Sequence, residues 1–470
     1  MRVMKFGGTS VGSAEAIAQV TRILADAYQE APPVVAVVSA MSGVTNLLLD
    51  AAESAAWGHR EPAAELQHDL HERHAAAAAD LIADDARRDA LMTRIDELIT
   101  RCGRMIESVQ ILHDLSPRVR DLIVSFGERM SSQLVAAALE DDGIPSVAVP
   151  SDQVIVTDQV FGAASPLLDR TAEQAAKVLQ PLLARGVLPV VTGFFGATPS
   201  GAVTTLGRGG SDYSASILGH ALDADEVWIW TDVNGVMTAD PRLVPDARTL
   251  PEISFAEATE LAYFGAKVIH PRTMQPAATK GIPIWIKNTF NPGNPGTRIG
   301  PESSGNGSVK AITAIPHVSA ITVEGGGFLS VAGTTSRIFA AVGRADINVY
   351  MISQASSQHS LTFVVPGISG PDAVRVLEAE FELDLHRQHL SRIWEDPDLA
   401  VVAVVGAGMR GTPGVAGRVF KTLGDEGINI ATIAQGSSEL NISCVVPTVA
   451  VERAVPALHA AFDLGRVPVI

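Results

Sequence analysis

The sequence predicts an α/β region built on a mostly parallel sheet, followed by two copies of one smaller module, and three observations carry this. From Met1 to about residue 300, short β-rich runs alternate with helical patterns, the order that places helices on both faces of a parallel sheet. Near residue 300 the texture changes to NPGNPGTRIGPESSGNGS, a Gly, Pro, Asn and Ser cluster that marks a linker or an exposed loop. Beyond it, the segment from Gly325 to Pro366 aligns without gaps on the segment from Gly406 to Pro447, with about a third of the positions identical, more than chance supplies.

The β-rich runs are VMKF, PPVVAVVSA, DLIVSF, PSVAVP, VLPVVTGFF, EVWIWTDV and IPIWIKN. Residues from about 50 to 115 read as helical throughout. In that stretch His68, His71 and His74 recur at spacing three, yet they share the surface with Asp69, Glu72 and Arg73. A solvated helix face is expected there rather than a metal site, and no residue set with metal-ligand spacing is identified elsewhere. In the repeat, Gly333 pairs with Gly414, Arg337 with Arg418, Phe339 with Phe420, Asn348 with Asn429 and Gln354 with Gln435. The expected division is 1–300 for the α/β region, 309–391 for the first repeat and 399–470 for the second.

Bulk properties narrow the function. A chain of 470 residues is too long for one core and suggests about three units. It is 47% hydrophobic and 19% charged, with no apolar stretch near the length of a membrane span. The N-terminal MRVMKFGG has glycines where a signal peptide needs its apolar run, so a cytoplasmic protein is expected. Cys102 and Cys444 are the two cysteines and stand far apart, which fits a reducing compartment. A formal charge of −17 argues against nucleic acid as a partner. A small anionic substrate would need a few local cations.

One motif points elsewhere and is set aside. VVAVVGAGMRGTPG carries Gly406, Gly408 and Gly411 in GxGxxG spacing, as a dinucleotide-binding turn would. Such a site wants an acid about 20 residues on, at the end of the next strand, and INIATIAQ ends without one. The sister copy keeps the module but reads Gly325, Gly326, Gly327 and Phe328 at this turn. The spacing is incidental to a turn that both copies share.

Chemistry gathers instead in four segments of the first 300 residues. KFGGTSVGS joins a strand to a helix through Gly7 and Gly8, with hydroxyls at Thr9 and Ser10 and a full positive charge at Lys5. Amides at such a turn cradle an anion. TLGRGGSDYSAS supplies a second glycine turn, with Gly210, Ser211 and Asp212 at a helix start and Arg208 as a planar double donor. As simple capping residues, Ser211 or Asp212 would explain one position but not three glycines and an arginine. WTDVNGVMTADPR offers Thr231, Asp232 and Asp240 to ribose or metal-bound water, and FGAKVIHPRT offers Lys267 to a phosphate.

KFGGTSVGS, VSAMSGVTN, SFGERMSS, TLGRGGSDYSAS, WTDVNGVMTADPR and FGAKVIHPRT, in this order, resemble aspartate kinase. The likeness covers essentially the whole chain, and the paired repeats resemble ACT domains. It implies a carbamate-kinase-like αβα sandwich, the amino-acid-kinase fold, followed by two ferredoxin-like ACT domains. It implies ATP and Mg²⁺ as cofactors, L-aspartate as substrate, and transfer to its β-carboxylate. Lys5, Asp212 and Lys267 match the catalytic positions; Ser39, Thr45, Glu128 and Arg208 match those that hold aspartate. The nucleotide side is matched by Lys5, Gly7, Gly8, Thr9, Ser10, Gly210, Ser211, Thr231, Asp232, Met237, Asp240, Arg242 and Lys267. Met237 departs from the pattern, because the family usually has tyrosine there. The chain ends soon after the second repeat, so the homoserine dehydrogenase domain that some relatives carry is not expected.

For the repeats, the resemblance implies amino-acid effector sites between modules of two chains, hence a homodimer or homotetramer. Gly333, Asn348, Gln354, Gly414, Asn429 and Gln435 are the candidate effector residues. Tyr350 stands where lysine-sensitive relatives tend to place a carboxylate, and an ε-ammonium buried without an anion is costly. Neutral Gln354 and Gln435 suit a hydroxyl, so threonine is the expected effector. The alternatives are a sibling kinase acting on another acid, and an amino-acid sensor with an inactive kinase region.

Overall fold

The computed structural model describes residues 1–30, 33–59, 62–265, 269–303, 309–325, 333–354 and 359–466. They fall into two compact units that do not part at one point of the chain. The first holds Met1–Val236, Pro251–Phe255 and Lys267–Ser303; the second holds Met237–Leu250, Ala256–Ala266 and Ser304–Ile470.

In the first unit β1 (Arg2–Phe6) leads to α1 (Ala14–Glu30). Strand β2 (Val34–Val38) is followed by four helices, α2 (Val44–Ala56), α3 (Pro62–Leu81), α4 (Asp85–Leu112) and α5 (Pro117–Asp141). Then come β3 (Ser146–Val149), α6 (Leu168–Val178), α7 (Gln180–Ala184) and β4 (Leu188–Thr192). A ribbon of β5 (Phe195–Ala197) and β6 (Val203–Thr205) precedes α8 (Gly210–Ala221) and β7 (Glu226–Thr231). Strand β8 (Glu252–Ser254) runs into α9 (Phe255–Tyr263), most of which belongs to the second unit. Helix α10 (Pro271–Thr279), β9 (Ile284–Asn288) and β10 (Thr297–Gly300) complete the first unit.

Its main sheet has the order β3-β4-β2-β1-β7-β9-β10-β8. Every neighbouring pair is parallel except β9 with β10. VVAVV and LPVVT are buried along their whole length, as expected of parallel strands covered on both faces. DLIVSF, expected as a β-run, lies instead within α5. Ser116 Oγ accepts from Val119 N–H and Pro117 opens the helix, both start signals. A short apolar run reads alike in a buried helix and a buried strand.

The histidine row also departs from a uniformly solvated face. His68 beside Glu72 and His71 beside Asp96 are exposed, but His74 is fully buried, its Nδ1 2.7 Å from Leu70 O. It belongs to the Leu66, Leu70, His74, Ala77, Ala78 stripe that α3 turns inward.

The second unit contains β11 (Ala311–Glu324), α11 (Thr334–Arg344), β12 (Met351–Gln354), β13 (Ser360–Pro366), α12 (Gly370–Glu380) and α13 (Glu382–His386). These are followed by β14 (Arg392–Val405), α14 (Val415–Asp425), β15 (Thr432–Ala434), β16 (Asn441–Pro447) and α15 (Val451–Ala461). The repeat is plain in the geometry: Gly333 and Gly414 are the left-handed N-caps of α11 and α14, at φ 96° and 89°. The two copies build one antiparallel sheet, β12-β13-β11-β14-β16-β15. Long strands β11 and β14 run side by side, so each copy lends half a strand to the other.

The segment 237–250 is built into this unit. Ala239 and Val244 join the core formed by Val402, Val419, Leu423 and Leu458. Thr238 Oγ1 lies 2.9 Å from His459 Nε2, and Arg248 Nε donates to Leu464 O at 2.7 Å. From α9, Glu257 accepts from Ala407 N–H at 2.7 Å, at the GxGxxG turn itself. Tyr263 Oη donates to Val349 O and Tyr350 O. No helix among the described residues is long and apolar enough to cross a membrane.

Burial holds the His74 imidazole below its ordinary range, with Arg73 and His71 adding to the effect against the Leu70 bond. The unfolded chain therefore takes up a proton below about pH 6.5 that the folded one refuses, and stability falls with acidification at up to about 1.4 kcal/mol per pH unit. We expect Tm to drop between pH 7 and pH 5, and His74→Leu to flatten part of that drop. An identical pH profile in the variant would contradict this.

Candidate active site

Parallel strands that end together leave a crevice at their carboxyl edge, and ligands of open α/β sheets bind there. Strands β1, β2, β4 and β7 end at Phe6, Val38, Thr192 and Thr231. The turns that follow, with parts of α2, α5 and α8, enclose a cleft of about 820 Å³, within the range of small-molecule sites. Its wall includes Lys5, Gly7, Gly8, Thr9, Ser39, Thr45, Glu128, Arg208, Gly210, Ser211, Asp212, Thr231 and Asp232. A neighbouring hollow of about 1030 Å³ is walled by Asp50, Asp69, Glu72 and Asp80 around Arg73, and that acidic lining disfavours an anion.

Lys5 sits near the end of the central strand β1, 8% exposed, with Nζ 2.5 Å from Asp212 Oδ1. Asp212 is in the first turn of α8, whose N-cap is Gly209 at φ 69° with no side-chain cap. The capping alternative for Ser211 and Asp212 thus gives way to a glycine cap. Helix α2 starts likewise, at Gly43 with φ 83° and no side-chain cap. Both glycines lie on the cleft wall, so two helices open on it with first-turn N–H groups that no side chain caps, a ready setting for phosphate.

The other half of the wall suits an amino acid. Arg208 is exposed and forms no ion pair among the described residues. Glu128 is 3% exposed; its Oε1 accepts from Ala40 N–H at 3.1 Å, while Oε2 is buried with no hydrogen-bond partner among the described residues. Burial pushes this carboxyl up to about 8, against the lowering effect of the Ala40 bond. A carboxylate kept dry beside an open cleft is a place for an ammonium. Gly127 makes the position possible, since a Cβ there would stand 2.8 Å from Ala40 Cβ.

The remaining predicted residues are elsewhere. Ser10 is fully buried with its hydroxyl 2.7 Å from Thr289 Oγ1, which takes it off the wall. Met237, Asp240 and Arg242 are in the second unit, where Arg242 forks onto Asp240 at 2.6–3.1 Å. Lys267 lies outside the described residues. Gly333 and Gly414 cap their helices, while Asn348, Gln354, Asn429 and Gln435 are exposed at or beside the outer strands β12 and β15. No group of three or more potential metal ligands is found among the described residues.

Sequence reasoning missed Arg120, Asp121, Phe194 and Thr205, all on the wall. Asp121 stands seven residues before Glu128, a helical spacing hidden by reading DLIVSF as a strand. Phe194 carries φ 74°, an outlier for a bulky residue and a mark of a constrained site.

The model of the amino acid kinase family matches residues 1–288, and that of the ACT domain matches 321–381 and 402–462. The bifunctional aspartokinase/homoserine dehydrogenase of Daucus carota chloroplasts is 38% identical over 99% of this chain and 51% of its own. The chain thus spans about half the length of such relatives. The aspartokinase of Schizosaccharomyces pombe is 34% identical over 97% of this chain and 92% of its own. Escherichia coli aspartokinase III, solved with aspartate and ADP, superposes with a TM-score of 0.80 at 31% identity, covering 98% of this chain and all of that one. Family model, relative of comparable length and superposable fold agree: the chain belongs to the amino acid kinase family, among its aspartokinases.

Proposed function

We propose that the chain is an aspartate kinase, which uses ATP to phosphorylate the β-carboxylate of L-aspartate and yields 4-phospho-L-aspartate. The observation that carries this is the pairing, in one cleft, of a phosphate-type half with an amino-acid half. The first is made by Lys5 and two glycine-capped helix starts; the second by Arg208, without an ion pair among the described residues, and dry Glu128. The division of labour follows the chain as 1–300 catalytic, with ACT modules at 309–391 and 399–470.

With a reference pKa of about 3.9, the β-carboxylate is already an ionised nucleophile near neutrality and needs no general base. The obstacle is repulsion between two anions. A carboxylate oxygen bonds to the γ-phosphorus as the bridging bond to ADP breaks, and ADP departs with the negative charge. Positioning and positive charge drive such loose transfer. Lys5 supplies that charge, oriented by Asp212. Arg208 holds the α-carboxylate bidentately and Glu128 the α-ammonium, with Ser39 and Thr45 beside them. Gly7, Gly8, Thr9, Gly210, Ser211, Thr231 and Asp232 face the nucleotide, while Met237, Asp240, Arg242 and Lys267 are assigned to it on resemblance alone. Mg²⁺, which proteins hold by one or two carboxylates plus substrate phosphates, would add charge neutralisation at the triphosphate. Of the carboxylates on this wall, Asp212 and Asp232, on the nucleotide side, would be its donors.

The repeats are read as feedback sites for threonine, through Gly333, Asn348, Gln354, Gly414, Asn429 and Gln435, in a homodimer or homotetramer joined by ACT modules. Binding there would favour an inactive arrangement.

Three outcomes test this reading. Trapping the acyl phosphate with hydroxylamine should detect product from ATP, Mg²⁺ and L-aspartate, and Lys5→Ala should cut turnover about 10²- to 10³-fold with the fold intact; full activity in the purified variant would refute the role of Lys5. Because only ionised Glu128 pairs with an ammonium, KM for aspartate should fall as pH rises toward about 8, by up to about tenfold per unit. Glu128→Gln should abolish that dependence, and a flat wild-type profile would count against it. Millimolar threonine should inhibit, and Gln354→Ala should lose the inhibition; threonine without effect would remove it as effector.

A further inference from the structure

We propose that Asp121 is the positioning residue that sets the Arg208 turn at a fixed spacing from Glu128. This rests on the reading of Arg208 and Glu128 as the two holds on the amino-acid substrate. Asp121 and Glu128 are seven residues apart on α5, which puts them on one helix face, and both line the cleft. Asp121 is 2% exposed and forms no ion pair among the described residues. Its charge is satisfied by three donors instead. Oδ2 accepts from Gly162 N–H and from Thr205 N–H, and Oδ1 accepts from the Thr205 hydroxyl, each at 2.8 Å.

Those donors come from two separate loops. Gly162 belongs to the turn between β3 and α6, and Thr205 ends β6, three residues before Arg208. The loops also meet directly, since Ala164 N–H donates to Thr205 O at 2.9 Å. Gly207, at φ 78°, is so near that an added Cβ would stand 3.2 Å from Gly162 O. A buried carboxylate cannot release its donors without a large desolvation cost, so the loops are pinned to α5, the same helix that carries Glu128. The guanidinium that reads one end of an amino acid is thereby held in register with the carboxylate that reads the other. Near-attack geometry tolerates little drift in such spacing.

Steady-state kinetics on the full chain test this. Asp121→Asn keeps the shape but turns an acceptor into a donor; Thr205→Val removes only the hydroxyl bond, and Thr205→Ser restores it. KM for L-aspartate should rise about tenfold or more in Asp121→Asn and about three- to fivefold in Thr205→Val, return in Thr205→Ser, and leave KM for ATP within about twofold. In an Arg208→Lys background, Asp121→Asn should add much less, because both act through one contact. A merely structural Asp121 would lower Tm and active fraction, hence kcat, with KM unchanged, and that result overturns the proposal. If Asp121→Asn does not fold, the Thr205 pair decides by the same ratio. A wild-type chain that phosphorylates no acidic amino acid overturns the functional reading and this inference with it; turnover of a different acid moves the KM comparison to that acid.

Discussion

One ion pair organises the first unit's chemistry: the buried Lys5 ammonium at the edge of the central strand, held against the partly exposed Asp212 of α8. Burying the ammonium alone would be costly, so Asp212 makes its position tenable. The pair joins the strand that begins the chain to a helix two hundred residues later, and the glycine cap of α8 keeps side chains out of the space before it. On the proposed function, an incoming phosphate would meet a charge that is already mostly desolvated and held in place. Glu128, on the facing helix, is arranged in the opposite sense. Its Oε2 has no hydrogen-bond partner among the described residues, and burial pushes the carboxyl up to about 8.

Much of this was legible in the sequence because it rests on local rules. The alternation of β and helical runs specified the parallel sheet, and glycine turns beside Lys5 and Arg208 marked the two sides of the cleft. The repeat, read from identities such as Gly333 with Gly414, reappears as matching left-handed helix caps. What escaped depended on neighbours distant in the chain. DLIVSF has the composition of a strand, and only the Ser116 cap and packing around α5 make it a helix. His74 looked solvated beside Glu72 and Arg73 until its place on the inward stripe of α3 was set. Ser10, polar and next to a glycine turn, faces Thr289 rather than the cleft, which no spacing rule could reveal.

The second unit shows how duplicated modules are stitched together. Neither copy closes its own sheet: β11 and β14 are long enough to serve both, pairing Ala311–Ile315 with one half of β14 and Ala320–Glu324 with the other. The candidate effector residues Asn348, Gln354, Asn429 and Gln435 lie at or beside the outer strands, away from this shared middle.

The interleaving of the chain has a practical meaning for anyone who would dissect it. Ala239 and Val244 are core residues of the second unit although they precede most of it in sequence, and Glu257 caps an amide more than a hundred residues downstream. A fragment cut near residue 300 would keep these segments and lose the second-unit core they pack on. Its apolar side chains would then meet water, and such a truncation should be sticky and short-lived in solution rather than a miniature of the parent.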